Sequence, residues 1–451
     1  MQYVLIVVVF LLGGCMTKPL HYANSVEMDV RLPKNWSIEW ELDERDKRSL
    51  IDVIDSPVMT EWLSTVLNHS HELQVSNLEL DQRELLLKQA ISHQKPELNL
   101  NAAANRQKII EYAKKYESRY QLGAQVSWEL DLWGKMKKQG EGAWLDFRIS
   151  RLQQDALKRS LIAQALKSRL NLSTMREQQG LATKSTVLLE NAVNRAEQQV
   201  HVGRIALVDL EEARVNYRQS SSQLSLAKAE LADVETSARR LAGFFGQDLE
   251  FSQDWIKLGL PNVEVPGRYL LNRPDVLMAL VSVTRADTNS DIAYRSLFPS
   301  FSLSLDVTQT STGHQNLLGK DPVWNLLGQL IQPVFNGGRM EAAVKIAELD
   351  AQKALVEYRR TLEGAYFEVE SLSKKEGYLE KQIQAMKKAY SAKRRRNDSI
   401  EAQYRDGLAE YEQWLAEKLS LYEIERQLLT LETEQTSNRI DLFLALGLPV
   451  S

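Results

Sequence analysis

Residue types that carry enzymatic or metal chemistry are few and scattered in this chain of 451 residues, which has six histidines, one cysteine and nine methionines. His69 and His71 are two positions apart, a poor spacing for one face of a helix, and no cysteine lies near enough to complete a zinc site. We find no nucleophile–base constellation and no phosphate-binding loop. We therefore expect neither an enzyme nor a bound metal or cofactor.

The single cysteine follows an apolar run at the amino terminus. The run "VLIVVVFLL", residues 4–12, is too short to span a bilayer and is typical of the apolar region of a signal peptide. It leads into "LLGGC", which resembles the lipobox of bacterial lipoproteins. The resemblance implies that residues 1–14 are a signal peptide and that Cys15 is acylated and becomes the first residue of the mature chain. The alternatives are an incidental cysteine after a short signal peptide, or a buried strand.

Composition excludes several classes of protein. A hydrophobic fraction of 43% and a charged fraction of 26% are those of a globular protein. The net charge of −4 leaves no basic footprint for nucleic acid, and the basic run at 393–397 suits a solvated helix face. After residue 15 no run of 18 apolar residues occurs, so a transmembrane helix is not expected and any membrane crossing must use strands.

Landmarks recur about 203 residues apart, which indicates a tandem duplication. Pro96 and Pro299 each open an alternating strand, and the long stretches 97–260 and 334–448 contain no proline. Gly203 pairs with Gly407 in a second landmark, 204 residues apart. The predicted domains are a signal peptide (1–14), a lipidated irregular segment (15–59), repeat 1 (60–246), an irregular linker (247–270) and repeat 2 (271–451).

Each repeat is predicted to contain a helix, two strands and a long helical hairpin. Because a helix of about 65 residues is roughly 100 Å long, we expect it to pack along partner helices as a coiled-coil-like bundle. The predicted helices of repeat 1 are 60–94, 135–200 and 208–243, with strands at 97–105 and 119–131. Those of repeat 2 are 274–297, 337–404 and 410–445, with strands at 300–311 and 323–332.

The strands alternate between apolar and polar residues, a pattern typical of transmembrane β-barrels. Four strands cannot close a barrel, so chains must pool them: two chains give eight strands and three give twelve. Two soluble hairpins capping a helical bundle are the alternative. For a barrel, the predicted lumen-facing residues are Gln121, Gln125, Ser127 and Glu129.

Several segments taken together resemble the TolC-like outer-membrane efflux factors, specifically the lipoprotein branch that works with resistance-nodulation-division pumps. They are "NRPDVLMAL", "FPSFSLSL", "SWELDLWGKM", "QPVFNGGRMEAAVKIAELDAQKA" and the closing "LFLALGLP", together with "LLGGC". The resemblance implies a mainly helical homotrimer with a shared 12-stranded barrel, four strands per protomer, continuous with a helical coiled-coil barrel. It also implies passive export across the outer membrane of solutes delivered by an inner-membrane pump and a periplasmic adaptor.

The resemblance directs attention to the two helix-turn-helix tips, which in the family face the adaptor and close the tunnel. The predicted tip turns and adaptor contacts are Gly203, Arg204, Gly407 and Leu408. Carboxylates repeated threefold in a narrow lumen would attract cations and could gate it; ordinary helix N-terminal acids are the alternative. The candidate gate carboxylates are Asp209, Asp406, Glu410, Glu412 and Glu417.

The chain departs from its branch just after the second tip. Ala416 and Leu419 stand where the resemblance leads us to expect an aspartate and an arginine in gate contacts. The family gate therefore cannot be transferred unchanged to this chain. Two other functions stay open at this point: the exit duct of a type I protein secretion system, and a lipid-anchored helical tether without a pore.

Overall fold

The computed structural model describes residues 18–23, 33, 36, 56–109, 115–243, 258–260, 269–313 and 321–448. The predicted signal peptide and Cys15 lie outside these residues. The described chain is mainly helical with one four-stranded sheet, as predicted.

Seven helices lie in the described ranges. The first half contains α1 (Pro57–His69), α2 (His71–Ser92), α3 (Lys135–His201) and α4 (Leu207–Leu241). The second half contains α5 (Pro274–Arg295), α6 (Arg339–Arg405) and α7 (Tyr411–Ala445). The predicted hairpins are confirmed, and corresponding helices match in length: α3 and α6 have 67 residues each, α4 and α7 have 35 each.

The prediction of a single helix over 60–94 is wrong, because the chain breaks at Ser70. Ser70 adopts an extended backbone (φ −65°, ψ 114°). Its hydroxyl oxygen accepts a hydrogen bond from the backbone N–H of Leu73 at 3.2 Å and so caps the start of α2. A serine competes for backbone donors in this way, and for that reason it favours helix starts over helix interiors.

The strands β1 (Glu97–Ile109), β2 (Lys115–Leu130), β3 (Ser300–Ser311) and β4 (Val323–Ile331) form one antiparallel sheet in that order. The pairing of β2 with β3 joins the two predicted hairpins in a single sheet. The first pair of strands extends beyond the predicted bounds through pairs such as Arg106 with Ser118 and Lys108 with Tyr116. The guanidinium of Arg106 lies 4.8 Å from the Tyr116 ring centroid, a cation–π contact that stabilises this polar end.

The chain divides into two compact units, and each contains parts of both predicted repeats. The first unit holds the sheet, most of α2 and α5, and the beginnings of α3 and α6. The second unit holds the rest of the long helices, and its core includes Trp62, Leu166, Ile440 and Phe443. The buried indole N–H of Trp62 donates to the backbone oxygen of Ala165 at 2.9 Å, which fixes α1 against α3.

Across the described ranges, no helix combines the length and the apolar character needed to span a membrane.

Candidate functional site

The register of the sheet separates apolar from polar side chains. Residues directly opposite one another on paired strands share a face. One apolar row across all four strands consists of Leu98, Val126, Leu305 and Leu326. The next apolar row consists of Leu100, Ala124, Val307 and Trp324.

The opposite face of the sheet is polar. One row consists of Asn99, Gln125, Asp306 and Asn325. The other predicted lumen residues, Gln121, Ser127 and Glu129, lie on this same face because they alternate with the apolar positions of β2. On β4 the alternation fails at Leu327, which pairs with Ser304 and so lies on the polar face.

Much of the apolar face is exposed among the residues that the structure describes. Leu100 is 80% exposed, Trp324 69%, Leu98 65% and Leu326 56%. Contiguous exposed apolar surface marks a site of contact with protein or membrane. The outer strands β1 and β4 each pair on one side only in the described sheet, so their free edges offer backbone donors and acceptors to further strands.

The first tip is a tight turn between α3 and α4. Gly203 has φ 65°, a left-handed conformation that a side chain disfavours. The N–H groups of Gly203 and Arg204 donate to the backbone oxygens of Val200 and Gln199, the pattern of a Schellman C-cap. Asp209 has a local role here, since its carboxylate accepts a hydrogen bond from the Ala206 N–H at 3.0 Å at the start of α4.

The second tip repeats this construction. Gly407 has φ 75°, and the N–H groups of Gly407 and Leu408 donate to the backbone oxygens of Tyr404 and Gln403. Leu408 is 78% exposed at the turn. The candidate gate residues Asp406, Glu410 and Glu412 are all exposed. Each tip therefore presents apolar and acidic side chains on a turn that backbone hydrogen bonds hold in shape.

Glu417 has a different environment from the other candidate carboxylates. Lys393 Nζ lies 2.6 Å from one of its oxygens and Arg396 lies 2.9 Å from the other. The hydrogen bond from Lys393, together with both positive charges, outweighs burial and holds the pKa of the Glu417 carboxyl below its usual value. Part of the basic run at 393–397 thus neutralises Glu417 and links α6 to α7.

A cluster that the sequence did not reveal joins the two hairpins near the tips. The Arg195 guanidinium donates from Nη1 to the Tyr404 hydroxyl at 3.2 Å and lies 4.6 Å from the Tyr411 ring centroid. Tyr404 also stacks on Trp414 with centroids 5.4 Å apart. We name Arg195, Tyr404, Tyr411 and Trp414 the tip cluster. Three aromatic residues flanking the Gly407 turn are the sequence signal that could have suggested it.

Beside the tip cluster runs a groove of about 1100 Å³, lined by α3, α4 and α7. Its lining includes Ala416 and Leu419, the two positions at which the chain departs from the branch it resembles. Asp209 and Glu412 also lie along it. The surface that the resemblance associates with closure is therefore apolar at these two positions, and its lining also includes both acidic and basic side chains.

Comparison with known proteins identifies the family. The family described as Outer membrane efflux protein matches residues 62–244 and 265–448. The chain belongs to this family. It is therefore an outer-membrane component of an efflux system, and the predicted resemblance is confirmed.

Relatives cover almost the whole chain. A probable outer membrane lipoprotein, SilC of Salmonella typhimurium, is 23% identical over 97% of this chain and 96% of its own length. The cation efflux system protein CusC of Escherichia coli strain K12 is 24% identical over 87% of each chain. The open-state MtrE outer membrane channel of Neisseria gonorrhoeae has the same fold: its TM-score is 0.83 at 20% identity, covering 97% of this chain and 98% of the channel.

Proposed function

We propose that three copies of this efflux protein pool their sheets into a 12-stranded barrel in the outer membrane. The observation that carries the proposal is the sheet itself, with an uncovered apolar face, a polar face and two free edges. In lipid, free edges are satisfied only by closure, and the apolar face is stable there without protein cover. The polar face then lines a water-filled lumen through Gln121, Gln125, Ser127 and Glu129.

The long hairpins continue this lumen as a passive duct through the periplasm. Helices of 67 residues are roughly 100 Å long at about 1.5 Å per residue. Exposed apolar side chains along them, such as Ile346 at 60% and Phe367 at 64%, supply surface for packing against neighbouring copies. Transport through such a duct needs no catalysis and no cofactor, because an inner-membrane pump supplies the driving force.

The tips are the proposed contact with a periplasmic adaptor. Gly203, Arg204, Gly407 and Leu408 lie at exposed turns, and Val202 and Val208 beside them are 65% and 70% exposed. Exposed apolar side chains on rigid turns suit a protein partner. The gate function falls to Asp406, Glu410 and Glu412, because Lys393 and Arg396 neutralise Glu417 and Asp209 caps α4.

Acylation of Cys15 is the proposed anchor in outer-membrane lipid. The mass of the intact mature protein tests it directly. We expect a mass that begins at Cys15 and includes acyl chains, and a Cys15→Ser variant that lacks them. A wild-type mass without lipid would remove the anchor from the proposal and leave the barrel untouched.

Planar-bilayer recording of the purified protein tests the duct. Cys15 is the only cysteine of the chain. In the acylated protein its thiol is blocked, so a cysteine introduced elsewhere provides the single free thiol. We expect Gln125→Cys on the polar face to lose current when a bulky thiol reagent is added. Leu100→Cys on the apolar face is the matched control and should keep its current. If neither the wild type nor a variant with neutralised tip acids carries current at any voltage, the pore-free tether becomes the better description.

A further inference from the structure

Three residues near the amino terminus, His21 to Ala23, are held by two carboxylates of α5. Asp287 accepts hydrogen bonds from the backbone N–H groups of Tyr22 and Ala23, at 3.1 Å and 2.8 Å. Asp291 lies one helical turn further along and contacts His21 Nε2 at 2.9 Å. Both carboxylates therefore face the amino-terminal segment from the same side of the helix.

These carboxylates are buried, each with a relative exposure of 3%. Burying a carboxylate is costly unless donors surround it. Both oxygens of Asp287 are taken up by the amino-terminal segment, and the Lys138 ammonium of α3 lies 3.3 Å from the second oxygen of Asp291. Burial opposes ionisation of Asp291, but His21 and Lys138 outweigh it and hold its pKa below the usual range.

The segment has a further attachment to α6. The Gln352 side-chain amide donates to the Tyr22 hydroxyl at 2.7 Å. All of these residues belong to the compact unit that contains the sheet. The amino-terminal segment is thus bonded at three consecutive residues to helices α5 and α6.

We propose that Asp287 and Asp291 form a seat for the segment that follows the lipid-bearing residue, and that this seat fixes where the lipid enters the membrane. The proposal rests on the acylation of Cys15. Cys15 and His21 are six positions apart, so the lipid-bearing residue lies at most about 20 Å from the seat. We expect a lipid on a tether this short to insert close to the unit that contains the sheet. The acyl chains then act as a positioned part of the membrane domain.

The seat and the segment depend on each other. Without the segment, Asp287 is a buried carboxylate deprived of two donors, which is destabilising. Without the seat, the amino-terminal segment loses the hydrogen bonds that hold its backbone at Tyr22 and Ala23. This mutual dependence accounts for two buried acids on a helix around which no group of three or more potential metal ligands lies in the described ranges.

Hydrogen–deuterium exchange of the full-length protein tests the seat at the Tyr22 and Ala23 amides. We expect both to be protected in the wild type and to exchange at least about tenfold faster in Asp287→Ala, since each loses a hydrogen bond to a charged acceptor. His21→Ala leaves the buried carboxylates of α5 in place and should also raise exchange, which guards against a misfolded Asp287→Ala. Asp350→Ala, an exposed acid of α6 in the same unit, is the matched control and should change nothing.

Unprotected Tyr22 and Ala23 amides in the wild type, or equal protection in Asp287→Ala, would overturn the seat. Failure of the proposed channel looks different, because it removes the bilayer current without altering exchange. Failure of the anchor is visible in the intact mass alone. In Cys15→Ser we expect protection to persist, since the seat binds the segment whether or not lipid is attached.

Discussion

Removing Arg195 should separate the two hairpins at their tips and favour the open duct. Its guanidinium is the cation of the tip cluster and connects α3 with α6 and α7. Arg195 itself is exposed, whereas Tyr411 is 9% exposed, so the contact is partly desolvated. A cation–π contact of this kind contributes about 1 kcal/mol and the hydrogen bond to Tyr404 about 1 kcal/mol.

The loss in Arg195→Ala is therefore about 2 kcal/mol per chain, which is roughly a 30-fold shift in the equilibrium between joined and separated hairpins. If three chains must separate together, as the proposed trimer requires, the upper bound is about 6 kcal/mol. Arg195→Lys keeps the charge but loses the planar guanidinium, so we expect an intermediate effect.

Single-channel recording in a planar bilayer measures this shift as open probability. Arg195→Ala should open more often than the wild type at the same voltage. Arg218→Ala, which removes an exposed arginine of α4 outside the tip cluster, is the matched control and should behave as the wild type. Equal open probability in Arg195→Ala and Arg218→Ala would refute the reasoning that the tip cluster resists opening.

Three further sets of variants test the stability of the helical unit. Gly203→Ala and Gly407→Ala should each lower the free energy of unfolding by about 1–2 kcal/mol, because a side chain strains the left-handed backbone at these turns. Gly180→Ala inside α3 is the control and should raise the free energy of unfolding slightly. Urea denaturation measures all three. Glu376→Ala should cost about 3 kcal/mol by the same assay, because its buried carboxylate pairs with an arginine of α7 at 2.8 Å. Glu417→Gln should lower the melting temperature at pH 7 and lower it less at pH 3. The lowered pKa makes the stabilisation complete at neutral pH, and it is lost progressively as the pH falls from the unfolded pKa of about 4.3 through the lower folded pKa. An equal deficit at both pH values would contradict the ion pair.

The sequence was sufficient for the order and type of elements because long-range regularities carry them. Proline-free stretches predicted α3 and α6 to within two residues at each end, and alternation predicted β3 at its observed bounds. The sequence pattern does not predict the break at Ser70, because a serine within a helical pattern gives a weak signal. The pattern also does not predict the ends of β1 and β2 that lie next to the loop between them. Most residues are polar there, so the alternation of apolar and polar residues is lost.

The contacts that define the sites were harder to foresee. Arg195 and Tyr404 are 209 positions apart, and Tyr22 and Asp287 are 265 apart. Neither pair shares an element or a motif, so local pattern carries no information about their meeting. The sequence places Glu417 near a turn, and only the fold shows that Lys393 and Arg396 neutralise its carboxylate.

The equal lengths of corresponding helices limit how this protein can change in evolution. Each residue turns a helix by about 100°, so deleting one residue from α3 alone rotates every side chain beyond it off its packing seam. Deleting a block of about seven residues, close to two full turns, keeps the seam aligned. The corresponding helix α6 must then lose the same block for the two tips to meet. Each such step alters a helix by about 10 Å. We therefore expect the length of a hairpin to vary in discrete increments that are shared by both halves of the chain.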